Sequence, residues 1–186
     1  MFIRPAHPND AAAIAALRER TIRTVVAAAG VYTPDEIARW SASYTAERVE
    51  GLIAAGNFLV AELGGRVVGM GRLKLGDPLP PGQACLRGLF TDADTIGRGA
   101  GTALVRALLA RAARQGVTEI ALAATLNAET FYDRLGFTSH GRERFATING
   151  TWIAAVDMRR AVTVVDAVDD GDAAAPPNAR HAPGAH

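Results

Sequence analysis

A short extended segment runs directly into a loop of alternating glycines, and an apolar helical pattern begins at once behind the loop. The segment is ACLRGLFT, the loop is IGRGAGT from Ile96 to Thr102, and the helix is predicted to end near Gln115. The first amides of a helix have no helical partners, and the helix dipole adds positive potential there. Glycine lets the backbone approach a phosphate because no Cβ intervenes. The pattern favours an α/β chain with an anion site where this helix starts.

The loop taken alone leaves three interpretations open. A Walker loop ends in Gly-Lys-Ser/Thr, whereas this loop ends in Gly101-Thr102 without a lysine. A dinucleotide fingerprint has a third glycine where this chain has Thr102, and it usually follows the first strand. The third interpretation is a tight strand-to-helix connection that binds no ligand.

Helical and extended patterns alternate along the rest of the chain, which predicts an α/β fold. Helices are expected from Asn9 or Asp10 to about Ala29, from Thr33, from about Ala46 to Ala55, and over AETFYDRL. NFLVAEL and RVVGMGRLKL flank Gly-Gly and predict a hairpin. The apolar run EIALAAT predicts a strand buried on both faces. Further strands are expected over FIRPA, about 138–147 and 152–159.

Composition narrows the class of protein. A chain of 186 residues suits one domain with a core, and a net charge of +1 argues against a dedicated nucleic-acid binder. No stretch is long enough to span a membrane, and MFIRPAHPND lacks the layout of a secretory signal, so a cytoplasmic location is expected. The single cysteine excludes an internal disulfide, and no Cys/His cluster suggests a metal. Residues 1–160 are predicted to form the domain, and the Ala/Pro/Asp-rich segment 161–186 a disordered tail.

A second segment changes the interpretation of the loop. TLNAETFYDRLGF, from Thr125 to Phe137, and IGRGAGTALV together resemble the GCN5-related N-acetyltransferase (GNAT) family, whose loop carries a Q/R-x-x-G-x-G/A pattern. The resemblance spans roughly Phe2 to Arg160. It implies a GNAT-like mixed, mostly antiparallel central sheet flanked by helices, in the order β-α-α-β-β-β-α-β-α-β-β. It also implies an acetyl-CoA-dependent N-acetyltransferase, with acetyl-CoA as co-substrate and no metal.

The resemblance also implies which positions hold the coenzyme. The family's loop holds the pyrophosphate, and Ile96 stands where relatives usually have Gln or Arg. The preceding strand would pair with the pantetheine arm, Asn127 would lie beside that arm, and Tyr132 would lie near the thiol. The implied coenzyme-binding residues are Leu89, Phe90, Thr91, Ile96, Gly97, Arg98, Gly99, Ala100, Gly101, Thr102, Asn127 and Tyr132.

Acyl transfer from a thioester to an amine needs three groups. An alkyl ammonium of pKa about 10 must lose a proton, the oxyanion needs a donor, and the leaving thiolate gains from an acid. Tyr132 is the predicted catalytic acid; it points about 100° away from Phe131 on its helix and therefore need not belong to the core. An amide near Phe90 is the implied oxyanion donor. Asn127 is also expected to cap its helix.

The general base is left open at this stage. Relatives often carry a glutamate on this strand near the position of Cys85, and this chain has none there. A chain of water molecules, Asp92 and His140 are the candidates. Cys85 itself is predicted to be a core residue rather than a nucleophile.

By the resemblance, the acceptor enters between the first helices and the final strands. Aromatic candidates for its pocket are Tyr32, Trp40, Tyr44 and Trp152, and the acids Glu19, Asp35 and Glu36 are candidates for attracting a cation. The expected partner is a small-molecule amine or amino-acid derivative, with no nucleic acid and no membrane; a homodimer is left open. The alternatives are a non-catalytic acyl-CoA-binding module and an acetyltransferase acting on a protein amine.

Overall fold

The structure is a computed structural model of the chain and describes residues 1–42, 44–76, 78–147 and 150–167. The strands of this part are β1 (Phe2–Pro5), β2 (Phe58–Leu63), β3 (Arg66–Lys74), β4 (Gln83–Thr91), β5 (Glu119–Thr125), β6 (Thr138–Ala146) and β7 (Trp152–Ala161). The α-helices are α1 (Ala11–Thr21), α2 (Pro34–Ser41), α3 (Ala46–Ala54), α4 (Ala100–Arg114) and α5 (Glu129–Asp133).

The described strands form one sheet in the order β1-β2-β3-β4-β5-β7-β6. Every neighbouring pair is antiparallel except β4 and β5, which run parallel. This confirms the predicted mixed, mostly antiparallel sheet. The predicted hairpin is also confirmed, because β2 and β3 pair across Gly64 and Gly65, both with positive φ.

The interval between β1 and β2 holds three α-helices, one more than the predicted order counts. The first predicted helix continues past α1 through a π-helical segment at Ile22–Val26, which the sequence pattern did not indicate. Asp10 precedes α1 without capping it, because its carboxylate accepts from Arg4 and from the His7 amide. The cap of α2 is as expected: the Thr33 hydroxyl accepts from the Glu36 amide.

Helices cover both faces of the sheet. The buried face of α4 packs on the central strands, and each fully buried leucine there contributes about 1.5–3 kcal/mol. Gly69 allows the close approach, since a Cβ at this position would lie 2.9 Å from Leu104 Cδ1. On the opposite face, α1 and α3 pack around Ile14, Leu17 and Met70. The sheet is therefore held rigidly where β4 leads into the glycine loop.

The ordered chain continues past residue 160, where the tail was predicted to begin. Residue Ala161 belongs to β7, and Val164–Ala167 forms a short 3₁₀ helix that packs against α4. Asp166 is buried and pairs with Arg160 at 2.7 Å. The described fold therefore extends at least to Ala167, beyond the boundary predicted at 160, and residues 168–186 of the predicted tail lie outside the described residues.

Candidate active site

A cavity of about 920 Å³ opens where β4 and β5 separate. The two strands pair only from Gln83 to Cys85 and from Glu119 to Ala121, and diverge beyond that point. Buried and half-buried residues alternate along β5, and the half-buried Ala123 and Thr125 line the cavity. The prediction that β5 is buried on both faces is therefore wrong, because one of its faces borders this opening.

The glycine loop lies on the wall of this cavity. Gly97 and Gly99 have φ of +77° and +84°, in the left-handed region that favours glycine. Gly99 is the residue before α4, and no side chain caps the helix. Within the described chain, the loop and first-turn amides without a hydrogen-bond partner are those of Gly97, Gly99, Ala100, Gly101 and Thr102. Unpaired amides at the start of a fifteen-residue helix are suited to binding an anion.

Two loop residues differ from this arrangement. The amides of Ile96 and Arg98 donate to the carbonyls of Ala93 and Thr95 inside the loop, so they are not available to a ligand. The side chain of Ile96 is exposed and still borders the cavity, whereas Arg98 does not line it. The structure therefore contradicts the expectation that Arg98 supplies an amide to the site. The other eleven predicted coenzyme-binding residues all line the one cavity.

The edge of β4 that faces the cavity is defined by its pairing with β3. The amide of Asp92 donates to Val68 at 2.9 Å, so the alternation of an antiparallel ladder directs the Phe90 amide toward β3 and the Thr91 amide toward the cavity side. A bulge adds one residue to β4 around Gly88 and Leu89. Phe90 is therefore not the oxyanion donor by its own amide, and the Thr91 amide is the better placed group.

Tyr132 is both a core residue and a cavity residue. Its ring packs edge-on against Phe131 and Phe137, with centroids 5.0 and 5.6 Å away, and its residual exposure is 6%. The ring belongs to the core after all, in the same cluster as Phe137 and Leu122. Its hydroxyl forms no hydrogen bond to any residue the structure describes, and burial raises the pKa of the phenol. The group stays protonated at neutral pH and is available as a donor.

Asn127 does not cap α5. The helix begins at Glu129, Ala128 occupies the capping position, and no side chain caps it. The turn before the helix is closed instead by the Ala128 amide, which donates to Thr125 at 2.8 Å. Asn127 is left exposed on the cavity wall, where its amide group can meet a ligand.

None of the candidate protein bases lies in the cavity. Asp92 is buried. Its carboxylate accepts from Nε and Nη2 of Arg20, at 2.9 and 2.8 Å, and from Nη1 of Arg66, at 3.0 Å. Hydrogen bonding from Arg20 holds the pKa of this carboxyl below its usual range, which makes it a weak base. His140 is exposed on β6, and Cys85 is buried behind the cavity wall as predicted.

The acceptor-side expectations are confirmed only in part. Trp40 and Tyr44 line the cavity, whereas Tyr32 and Trp152 do not. The Tyr32 hydroxyl is used structurally, since it donates to Ala154 at 2.8 Å and accepts from the Leu126 amide at 3.1 Å. No aspartate or glutamate of the described residues lines the cavity, so none of the three candidate acids lies where it could attract a cation into it.

Sequence reasoning missed a set of basic residues on this wall. They come from α1, β3 and β4, and they are Arg18, Arg72, Lys74 and Arg87. Arg134, at the end of α5, also lines the cavity. A signal for Arg18 was present in the sequence, because it lies four residues after Ile14 on the apolar face of the first helix. The described residues contain no cluster of His, Cys, Asp and Glu that could hold a metal ion.

Solved structures share this fold. A GCN5-related N-acetyltransferase from Rhodopseudomonas palustris superposes with a TM-score of 0.74 at 27% identity, covering 86% of this chain and 94% of that one. The PaiA N-acetyltransferase of Thermoplasma acidophilum, solved in complex with coenzyme A, gives a TM-score of 0.65 at 18% identity, with coverages of 86% and 98%. The second similarity concerns the fold alone.

Sequence comparison places the chain in a family. The acetyltransferase (GNAT) domain model matches residues 28–162, and the chain belongs to the GNAT family. N-acetyltransferase 8 of Rattus norvegicus is 37% identical over 122 residues, which cover 62% of this chain and 51% of that protein. The chain thus spans about half the length of this curated relative. Among the described helices, none combines the length and apolar character that a membrane crossing requires.

Proposed function

We propose that the protein is an acetyl-CoA-dependent N-acetyltransferase that moves an acetyl group to a primary amine of a small molecule or amino-acid derivative. One observation carries the proposal: the glycine loop, with its unpaired amides, and Tyr132 line the same cavity. Membership of the GNAT family and the fold shared with a protein solved with coenzyme A support it.

The residues present fit the coenzyme. The pyrophosphate would be held by the amides of Gly97 and Gly99 to Thr102, where a phosphate gains from the helix dipole. The open edge of β4 offers the Thr91 amide to the pantetheine arm or to the developing oxyanion. Bound acetyl-CoA would supply the acetyl thioester for transfer.

Direct attack in a ternary complex agrees with the groups on the wall. The uncharged acceptor nitrogen attacks the thioester carbonyl and forms the C–N bond, and the C–S bond breaks. The nitrogen, made positive by the attack, loses a proton to water, and the departing sulfur takes a proton from solvent. Tyr132 stabilises the departing sulfur chiefly as a hydrogen-bond donor, because its raised pKa makes full proton transfer to a thiolate of pKa about 8.5 unfavourable. No described carboxylate or imidazole on the wall takes the amine proton.

The test is release of coenzyme thiol from acetyl-CoA across a panel of amines. Tyr132→Phe is expected to lower kcat by roughly 10²-fold, the lower end of what a positioned acid contributes, while calorimetry shows an unchanged Kd for coenzyme A. Tyr32→Phe is the matched control, because it removes a buried hydroxyl that lies outside the cavity. It should cost stability without changing kcat.

A non-catalytic acyl-CoA-binding module is the second candidate. Two observations speak for it: Ile96 is exposed at the position that is usually polar, and no described carboxylate lines the cavity. Coenzyme binding without thiol release from any amine would decide for this candidate. Tight binding of NAD or ATP with no binding of coenzyme A would reject both.

A further inference from the structure

Arg18 is a buried arginine without a carboxylate partner. It lies on α1 with 3% exposure and borders the cavity. One guanidinium nitrogen, Nη2, donates to the Trp40 carbonyl at 3.2 Å, and Nη1 is buried with no hydrogen-bond partner. The guanidinium lies 4.4 Å from the centre of the Tyr44 ring and 5.6 Å from that of Phe90. Leaving a buried donor unsatisfied is costly, so this position calls for an acceptor that a bound ligand can supply.

Arg18 belongs to a cationic patch formed with Arg72, Lys74 and Arg87 on the neighbouring strands. Arg72 and Arg87 are register partners on β3 and β4, and Lys74 is two residues further along β3. None of the four forms an ion pair with any residue between 1 and 167 that the structure describes. Burial lowers the pKa of Arg18 to about 10, which still leaves it a cation at neutral pH, and burial also lowers the pKa of Arg72.

The coenzyme phosphates do not account for this patch. The phosphate-binding amides begin at Gly97, beyond the end of β4, whereas Arg87 lies four residues before Thr91 on the same strand. Four residues of extended chain span about 13 Å. Arg87 therefore lies near the point where β4 and β5 part, and the glycine loop lies at the far end of β4. An anion at the patch would therefore belong to the second substrate.

We propose that the acceptor is an amine that also carries a carboxylate, as a free amino acid does, and that Arg18 and Arg72 bind this carboxylate. The inference rests on the proposed function and narrows its substrate class. Trp40 and Tyr44, which border the same part of the cavity, pack against the body of the acceptor. Because Nη1 is buried, binding requires one of the two rings beside the guanidinium, that of Tyr44 or that of Phe90, to move aside.

The experiment compares acceptors that differ only at the carboxyl group: L-phenylalanine, L-phenylalaninamide and 2-phenylethylamine, with corresponding sets for other amino acids. Values of kcat/KM are corrected for the uncharged fraction of each amine. The acid is expected to exceed the amide by about 10- to 100-fold, the effect of one or two charge-assisted hydrogen bonds. In Arg72→Gln the ratio of kcat/KM for L-phenylalanine to that for L-phenylalaninamide should fall toward one. The value for L-phenylalaninamide should be kept, and the value for L-phenylalanine should fall.

Arg18→Met should have the same effect, and Arg23→Met is its control. Arg23 is exposed, pairs with Glu19 one turn earlier, and lies outside the cavity lining, so its removal takes one charge from the same helical stretch without touching the patch. If Arg18→Met does not fold, as judged by circular dichroism, Arg72→Gln alone carries the test.

The outcomes separate this inference from the proposed function. Turnover without a preference for the acid, or a preference that survives both substitutions, overturns the carboxylate site and leaves the acetyltransferase intact. If no amine is turned over, calorimetry on the coenzyme-saturated protein measures binding of the acid and of its amide. Tighter binding of the acid than of its amide supports the carboxylate site although the acetyltransferase activity has failed. Equal or weaker binding of the acid overturns the carboxylate site as well as the proposed function.

Discussion

Asp92 joins three parts of the molecule at the point where β4 ends. Its carboxylate accepts from Arg20 beside the end of α1 and from Arg66 at the start of β3, and its own exposure is 4%. Its pKa in the folded state is depressed by the hydrogen bond from Arg20. A carboxyl whose pKa is depressed by folding stabilises the folded state fully above the unfolded pKa of about 3.9, and this contribution is lost as the pH falls from that value through the lower pKa of the folded state.

Asp92→Asn should therefore lower the free energy of unfolding at pH 7 by about 1–3 kcal/mol, since two charge-assisted contacts become weaker and both arginines can turn to water. Urea unfolding between pH 6 and pH 3 should show a shallower loss of stability in the variant than in the native protein. The pH profile of kcat should keep its shape, because Asp92 lies outside the cavity lining. Loss of an ascending limb in that profile would make Asp92 the base after all.

Residue roles were predictable where local chemistry decides them and not where packing does. The glycines of the loop were found from residue type and spacing, and Tyr132 was found from the resemblance to the GNAT family. Burial of Tyr132 and exposure of Asn127 were not, because both depend on where α5 begins relative to β5. Arg18 was missed because a charged residue on an apolar helix face is normally solvated, and only the folded chain shows it covered by Tyr44 and Phe90.

The strand, loop and helix around Gly99 form the element on which the proposed coenzyme binding depends. Substituting Gly99 with leucine forces a side chain into a backbone conformation with φ of +84°, although nothing lies within 4 Å of the new Cβ. The strain is expected to cost about 1–2 kcal/mol of stability. The side chain would also stand among the amides that bind the phosphate, so calorimetry should detect no binding of coenzyme A.

Gly116 provides the matched control at the other end of α4. Its φ is +72°, and its Cβ position is equally open. Gly116→Leu should therefore lose similar stability while keeping the Kd for coenzyme A. Ile96→Gln should leave binding intact or tighter, since the Ile96 amide is already used inside the loop. Equal loss of binding in both glycine variants would show that strain in α4, rather than access to the amides, is responsible.

Elements with strong local signals were predicted well. The Gly-Gly turn, the capping box of α2 and the glycine loop each depend on a few neighbouring residues. The π-helical segment at Ile22–Val26 has no such signal, because it arises where α1 passes the open end of β4 and lines the cavity with Val25 and Val26. The alternating burial of β5 was missed for a related reason: a run of alanines reads as apolar on both faces whether or not one face borders an opening.

At the scale of the whole molecule, the end of the folded chain depends on contacts that composition does not show. The segment from Ala161 to Ala167 is rich in small and exposed residues, yet the Val162 amide donates to Thr118 at 2.9 Å. Asp166 accepts from the Thr163 amide at 2.8 Å and pairs with Arg160. These contacts fasten the last strand to α4 and β5.

Two truncations distinguish this boundary from the predicted one. Ending the chain after Arg160 removes the Val162 bond and leaves Arg160 without Asp166, so unfolding should become easier by about 2–4 kcal/mol at roughly 1 kcal/mol per hydrogen bond and more for the charged pair. Ending it after Ala167 keeps every one of these contacts, and urea unfolding should then match the full chain within error. Equal stability of both truncated chains would return the boundary to 160 and make the 3₁₀ helix at Val164–Ala167 dispensable.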